Sequence, residues 1–239
     1  MKLHLSVDDV IYSLMDLCSQ APDSVFDIPF WCLLRDLNKK YGALFTIYAF
    51  EDYAESFRVN CIQKKYWAEF ADCKFIRFGF HGIYQREKNE LFERKCIDFY
   101  SCFPEVLRAD TIRLHRYEAD PSMIGLLRRY GVSAILCRED ESRKINDFPP
   151  SYMFTENEEK RIGTVPVKIN GMNFVKTSLR IELHEEIQLL QELNELISKS
   201  SNDAIIAVFT HEKFVSEYSD SIESVCKLVN KRSNIDFTF

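Results

Sequence analysis

The chain has 239 residues, 46% of them hydrophobic and 13% aromatic, with 7 glycines and a formal net charge of −6. This composition buries a large core and excludes a disordered chain, and the acidic balance lacks the concentrated basic surface that nucleic-acid phosphates require. Glycine falls far short of the average usage of about 7%, and neither GxGxxG nor GxxxxGK[ST] occurs, which excludes the glycine cradles of Rossmann dehydrogenases and P-loop ATPases.

In chain order, the first predicted strand runs from Lys2 to Val7. After a polar loop, Asp27 caps a helix with Pro29 in its first turn, and Gly42 ends it after Tyr41. A strand follows from Ala43 to Phe50, then a helix from about Cys61 to Cys73, a strand from Lys74 to Phe80 and a helix from Lys88 to Phe103. The strand Asp110 to His115, the helix Ser122 to Tyr130 and the strand Val132 to Cys137 continue the rhythm. It breaks at about 138–183, where Pro149-Pro150, the acidic run from Glu156 and two strand-like pieces around Asn170-Gly171 predict a β-rich insertion. It resumes with the helix His184 to Ser198, the strand Ala204 to Thr210 and a helix from Val215 to Lys231. The pattern predicts a single α/β domain over 1–239 with a mainly parallel sheet.

Cys18, Cys32, Cys61, Cys73, Cys96, Cys102, Cys137 and Cys226 are scattered and form no CxxC, so they read as reduced core residues in a reducing compartment. No stretch approaches the roughly eighteen apolar residues of a membrane span, and charge enters at Asp8-Asp9 before any signal-peptide core, so a cytoplasmic location is expected.

Alternation within the strands carries the functional signal. In the first strand His4, Ser6 and Asp8 share the face opposite Leu3, Leu5 and Val7, and the strands before His81 and His115 also alternate polar with apolar. A parallel sheet buried against helices on both faces reads instead as continuous apolar runs. One face lining the inside of a barrel explains the pattern, with Asp8-Asp9, His81, His115 and His211 delivered to its C-terminal mouth, where (β/α) barrels place their active sites. Asp9, His81 and His115 form a candidate two-histidine, one-carboxylate set for a divalent cation. His184 reads as a solvated residue at a helix start, and Gly79 and Gly82 as space left around His81. Tyr12, Trp31, Tyr48, Tyr84 and Tyr117 are candidate sugar-stacking aromatics.

Leu5-Ser6-Val7-Asp8-Asp9-Val10 resembles the opening motif of the polysaccharide deacetylases, carbohydrate esterase family 4 in its broad sense. Phe78-Gly79-Phe80-His81-Gly82, the Arg113 stretch and Val208-Phe209-Thr210-His211-Glu212 resemble later motifs in the same order. The resemblance implies a distorted (β/α) barrel of about seven strands, one divalent metal, with zinc first and iron, cobalt, manganese or nickel as alternatives, and removal of an acetyl group from a sugar or glycan precursor. It implies Asp8 as general base held by Arg113, Asp9 and His81 as metal ligands, and His211 as general acid. Two departures stand out: Gln85 occupies the place of the second-motif histidine, and Leu114-His115 replaces the prolines of the third. We assign the missing ligand to His115. The alternative is a non-catalytic carbohydrate-binding or assembly protein on the same barrel.

Overall fold

A computed structural model describes residues 1–53, 56–82, 89–119, 121–140 and 149–239. Its strands are β1 (Lys2–Val10), β2 (Phe45–Ala49), β3 (Asp52–Tyr53), β4 (Phe57–Arg58), β5 (Ile76–Phe80), β6 (Thr111–Ile112), β7 (Ala134–Cys137), β8 (Val167–Ile169), β9 (Met172–Arg180), β10 (Ile205–His211) and β11 (Asp236–Thr238). Seven of them run parallel in the order β5-β2-β1-β10-β9-β7-β6 and curl into a nearly closed barrel ringed by helices. The curl closes between β5 and β6, where Ala109 N–H donates to the Phe78 carbonyl at 2.9 Å and His115 N–H to the His81 carbonyl at 2.8 Å. The expected distorted (β/α) barrel is therefore present. Among the described residues no helix is long and apolar enough to cross a membrane.

The region expected as an insertion contributes to the barrel wall. β9 pairs in parallel with both β7 and β10, and β8 folds back on it antiparallel through Asn170-Gly171, both at positive φ (50° and 84°) as a tight hairpin requires. The helix α2 (Pro29–Tyr41) stops at Gly42 with φ 69°, as its sequence predicts. Asp27, however, closes a capping box with Ser24 on the preceding 3-10 turn, and Ile28 is the N-cap of α2. A helix that the reading leaves as loop, α1 (Tyr12–Gln20), follows β1 directly.

Outside the barrel, Trp31, Trp67, Phe70, Phe78 and Phe103 interlock at ring-centroid separations of 4.8–6.0 Å, which seats α2 and α3 (Lys64–Cys73) against β5. Trp31 and Tyr48 are fully buried and belong to this packing and to the barrel interior, away from any sugar-binding rim. All eight cysteines are free.

The barrel interior is polar near its axis. The Tyr48 hydroxyl donates to the Thr111 carbonyl at 2.9 Å, so its oxygen accepts from His4 Nε2–H, also at 2.9 Å. Gly79 faces the same ring: a Cβ there would stand 2.8 Å from two Tyr48 carbons and 3.2 Å from Ile112 Cγ2. The missing side chain thus makes room for Tyr48, and the expectation that it makes room for a ligand is corrected. Gly79→Val should destabilise the fold by about 2 kcal/mol through overpacking, read as a lower urea midpoint. Burial pulls His4 down to about 3, with the Arg113 charge acting the same way, against 6.5 for the free side chain. The unfolded chain therefore binds the extra proton between those values, so this contribution to stability is complete above pH 6.5 and is lost as pH falls. The stability lost should reach about 1.4 kcal/mol per pH unit, and His4→Gln should flatten the dependence between about pH 6.5 and about pH 4.5 in urea melts.

Candidate active site

The C-terminal mouth of the barrel gathers side chains from β1, β5, β6, β9 and β10. The β1–β2 register shifts between Val7 and Val10, and Asp9 within the shift has φ 57°. This left-handed residue forms a bulge that turns both Asp8 and Asp9 to the mouth, where an unbroken strand would send neighbours to opposite faces. Aspartate tolerates that conformation better than most residues. Immediately beyond, the Glu212 carboxylate accepts from the backbone N–H of Ile11, Tyr12 and Ser13 at 2.8, 2.8 and 2.6 Å. Glu212 thereby caps α1 and holds the chain just past the bulge.

Arg113 lies 1% exposed inside the barrel. From the end of β6 it spans the bore: Nη1 donates to Asp8 Oδ1 at 2.8 Å and to Ser6 Oγ at 3.2 Å, and Nη2 to Thr177 Oγ1 at 3.0 Å. Its guanidinium also stacks 4.0 Å over the Phe209 ring. Burial opposes its charge, and the Asp8 carboxylate together with Tyr117 and Tyr48 outweighs burial and raises its pKa.

Three imidazoles converge on Asp9. His81 Nε2 lies 3.1 Å from Asp9 Oδ1, His115 Nε2 3.9 Å from the same oxygen, and His211 Nε2 3.9 Å from Oδ2. His81 Nδ1–H donates to the Arg113 carbonyl at 2.7 Å, which turns Nε2 to the mouth. His211 stands in register with Asp8, and its Nδ1 is hydrogen-bonded to Glu182, whose Oε1 also accepts from Arg180 Nε at 2.8 Å. Burial works against an ionised Asp9, but the His81 hydrogen bond and the charges of His81, His211 and His115 outweigh it and hold the carboxyl well below the usual range. Burial likewise disfavours charge on His81, and Asp9 and Asp8 overcome it and raise its pKa.

Two imidazoles and a carboxylate are the donor types that suit a divalent cation, and His81 and Asp9 each offer a lone pair once the proton between them leaves. In the present arrangement the imidazoles close on the carboxylate itself, and among the described residues no group of three or more His, Cys, Asp or Glu is spaced to hold a metal ion. His81, His115 and Asp9 supply donor types of this kind, in a spacing where His81 is hydrogen-bonded to the carboxylate.

The six residues singled out from the sequence thus meet at one mouth: Asp8, His81, Arg113, His115 and His211 line a cavity of about 500 Å³, and Asp9 joins them through the three imidazoles. Sequence reasoning missed Glu182, Thr177 and Glu212, whose partners are far away along the chain. It also missed Tyr152, which bridges the strand ends by donating to the Leu136 carbonyl at 2.8 Å and accepting from Leu114 N–H at 3.4 Å. His184, expected in solvent, is buried, and Tyr117 lines the cavity while Tyr12 is 52% exposed beside the bulge. Tyr84 and Gln85 lie outside the described residues.

No protein-family model matches the chain, and no curated protein does. Among solved structures, the chain is similar to a protein from Mycobacterium smegmatis assigned to the polysaccharide deacetylases, at 8% identity and TM-score 0.60 over 98% of this chain and 85% of that one. It is similar to 4-alpha-glucanotransferase from Thermococcus litoralis at 10% identity and TM-score 0.58, over 100% of this chain but 39% of the transferase. It is also similar to a carbohydrate esterase family 4 pseudoenzyme from Bacillus anthracis at 8% identity and TM-score 0.54, over 99% of this chain and 63% of that one. These likenesses show a shared barrel fold.

Removing one partner of the Asp8–Arg113 pair leaves the other buried and unpaired. Arg113→Met should cost about 3–5 kcal/mol in urea unfolding, and combining it with Asp8→Asn should cost clearly less than the sum of the single changes. Additive costs would mean that the two groups are not coupled.

Proposed function

We propose that this protein is a metal-dependent hydrolase that removes an acetyl group from a sugar or glycan precursor. The observation that carries the reading is the convergence of three imidazole Nε2 atoms on Asp9, beside an Asp8 carboxylate held from across the bore by Arg113. In this reading Asp9, His81 and His115 hold one divalent cation, zinc first among the candidates. When bound, it supplies Lewis acidity, polarising the acyl carbonyl and making water a better nucleophile near neutral pH.

The remaining steps belong to the chain. Asp8 lines the cavity with Oδ1 engaged by Arg113, and it accepts the proton of the attacking water. Arg113 fixes the direction of that carboxylate through a charge-assisted hydrogen bond. His211 presents Nε2 to the mouth because Glu182 holds its Nδ1, so Nε2 is the atom that hands a proton to the leaving amine or alkoxide. Glu182 and Arg180 act through His211 as positioning residues.

The fold is also that of a glucanotransferase, so the site must separate acyl hydrolysis from glycosyl chemistry. Cleaving a glycosidic bond calls for a pair of carboxyl groups of which one is held in its acid form. Asp9 is held well below the usual carboxylate range and Asp8 is engaged by a guanidinium, an arrangement that favours base and cation-ligand roles. A second reading, a carbohydrate-binding protein without catalysis, draws on the likeness to a pseudoenzyme.

Metal-replete protein should release acetate from at least one member of a panel of acetylated sugars and nucleotide sugars. Asp8→Asn should lower kcat/KM by about 10²–10⁴-fold while sugar binding persists, and His115→Ala should lose the metal as read by equilibrium dialysis. No acetate from any substrate, with binding unchanged in Asp8→Asn, would establish the binding protein instead.

A further inference from the structure

The mouth has two chemically distinct arcs. Asp8, Asp9, His81 and His211 come from β1, β5 and β10 or the residue just past them, whereas β6, β7 and β9 are contiguous on the other side, with Arg113 and Arg138 directly after β6 and β7 and Arg180 at the end of β9. Arg113, Arg116, Arg138 and Arg180 all line the cavity. Two of the four are committed to the fold. Arg113 holds Asp8 and Thr177, and Arg138 donates to the carbonyls of Pro149 at 2.8 Å and Arg116 at 2.7 Å while lying 4.9 Å over the Tyr117 ring.

The other two are presented to the cavity. Arg116 is exposed, and among the described residues no carboxylate lies within ion-pairing reach of its guanidinium. Arg180 spends Nε on Glu182, and its two Nη atoms make no hydrogen bond to a described residue. The backbone that presents Arg116 is held under strain: Arg116 and Tyr117 are consecutive left-handed residues, with φ 57° and 59°. Such a conformation costs about 1–2 kcal/mol per residue and persists where surrounding contacts over-determine it. Here those contacts are the Arg138 hydrogen bond to the Arg116 carbonyl and Tyr117 N–H donating to the Leu114 carbonyl at 3.0 Å. A solvated surface arginine needs no buried guanidinium to fix its carbonyl. Of the acidic residues on this wall, Glu139 accepts the Tyr117 hydroxyl at 3.3 Å, and Glu118 follows the strained turn.

We propose that Arg116 and Arg180 form a binding site for an acidic group on the substrate, so that the sugar admitted to this mouth carries a carboxylate or a phosphate. Planar guanidiniums grip either anion with paired, charge-assisted hydrogen bonds. The identity of the acetylated sugar rests on the hydrolase reading above, whereas the anion site rests on the rim alone.

Calorimetric titration of the metal-replete full chain with three probes tests this: N-acetylglucosamine, its 6-phosphate and the corresponding 6-carboxylate. At least one acidic probe should bind about tenfold or more tighter than the neutral sugar, with an advantage that shrinks as salt is added. The phosphate and carboxylate arms identify which acid the site takes. Arg116→Gln and Arg180→Gln should each reduce the acidic advantage, and Arg116→Lys, which keeps the charge, should retain most of it. Equal binding of neutral and acidic probes, no binding of any probe, or an advantage surviving both glutamine variants would overturn the proposal. An acidic preference without acetate release would leave this inference standing and remove the hydrolase, and acetate release from neutral sugars with no acidic preference would do the reverse.

Discussion

The contact between Arg113 and Asp8 spans the bore of the barrel, from the end of β6 to β1, and the polar interior is organised around it. A guanidinium and a carboxylate removed from water are costly, and pairing them returns much of that cost without a large net gain in stability. What the pair supplies is specification. It requires hydrogen-bonding residues along the bore, which Ser6 and Thr177 provide, and a flat surface against the guanidinium, which Phe209 provides. The alternation of polar and apolar residues along β1 is the sequence trace of this requirement, because an apolar bore would leave Arg113 with nothing to bind.

How much of this was legible in the sequence depends on whether the cause is local. β1, β5 and the stretch around β6 declare themselves by alternation, whereas β10 reads as an apolar run that closes on Thr210-His211. Gly42 and Asn170-Gly171 are legible because left-handed backbone has a local chemical signature. α1 was not legible. Its N-terminus carries no capping side chain of its own, and the carboxylate that satisfies it comes from Glu212, 200 positions from Tyr12 along the chain. Glu182 was hidden for the same reason, since its partner His211 is separated from it by a helix. Gly79 was legible as an unusual residue but not in its purpose, because the ring that fills its space belongs to a different strand.

The site shows how a barrel gathers chemistry from short strand ends. β6 has two residues, yet it delivers Arg113 to the bore and His115 to the rim, because the bonds from Ala109 and His115 to β5 tie the chain on either side of it. That closure brings His115 beside His81, with the two ring centroids 5.4 Å apart. A bulge achieves the complementary result on β1, turning two adjacent carboxylates the same way so that they can be engaged separately, one by a guanidinium and the other by imidazoles. The shared fold extends to a transferase and a pseudoenzyme, so these local devices, more than the barrel, carry the functional argument.

The grip of Glu212 on the start of α1 has a consequence for the order of assembly. β1 leaves the ribosome before β10, and the residues that complete its surroundings, His211 and Glu212, lie about 200 positions later. Until β10 has been synthesised, β1 lacks its parallel neighbour, α1 lacks its cap and the Asp9 bulge lacks its outer support. Contacts of such separation are slow to form and contribute only once most of the chain is available. A chain that stops short of β10 therefore carries both aspartates but lacks the residues that complete the site around them.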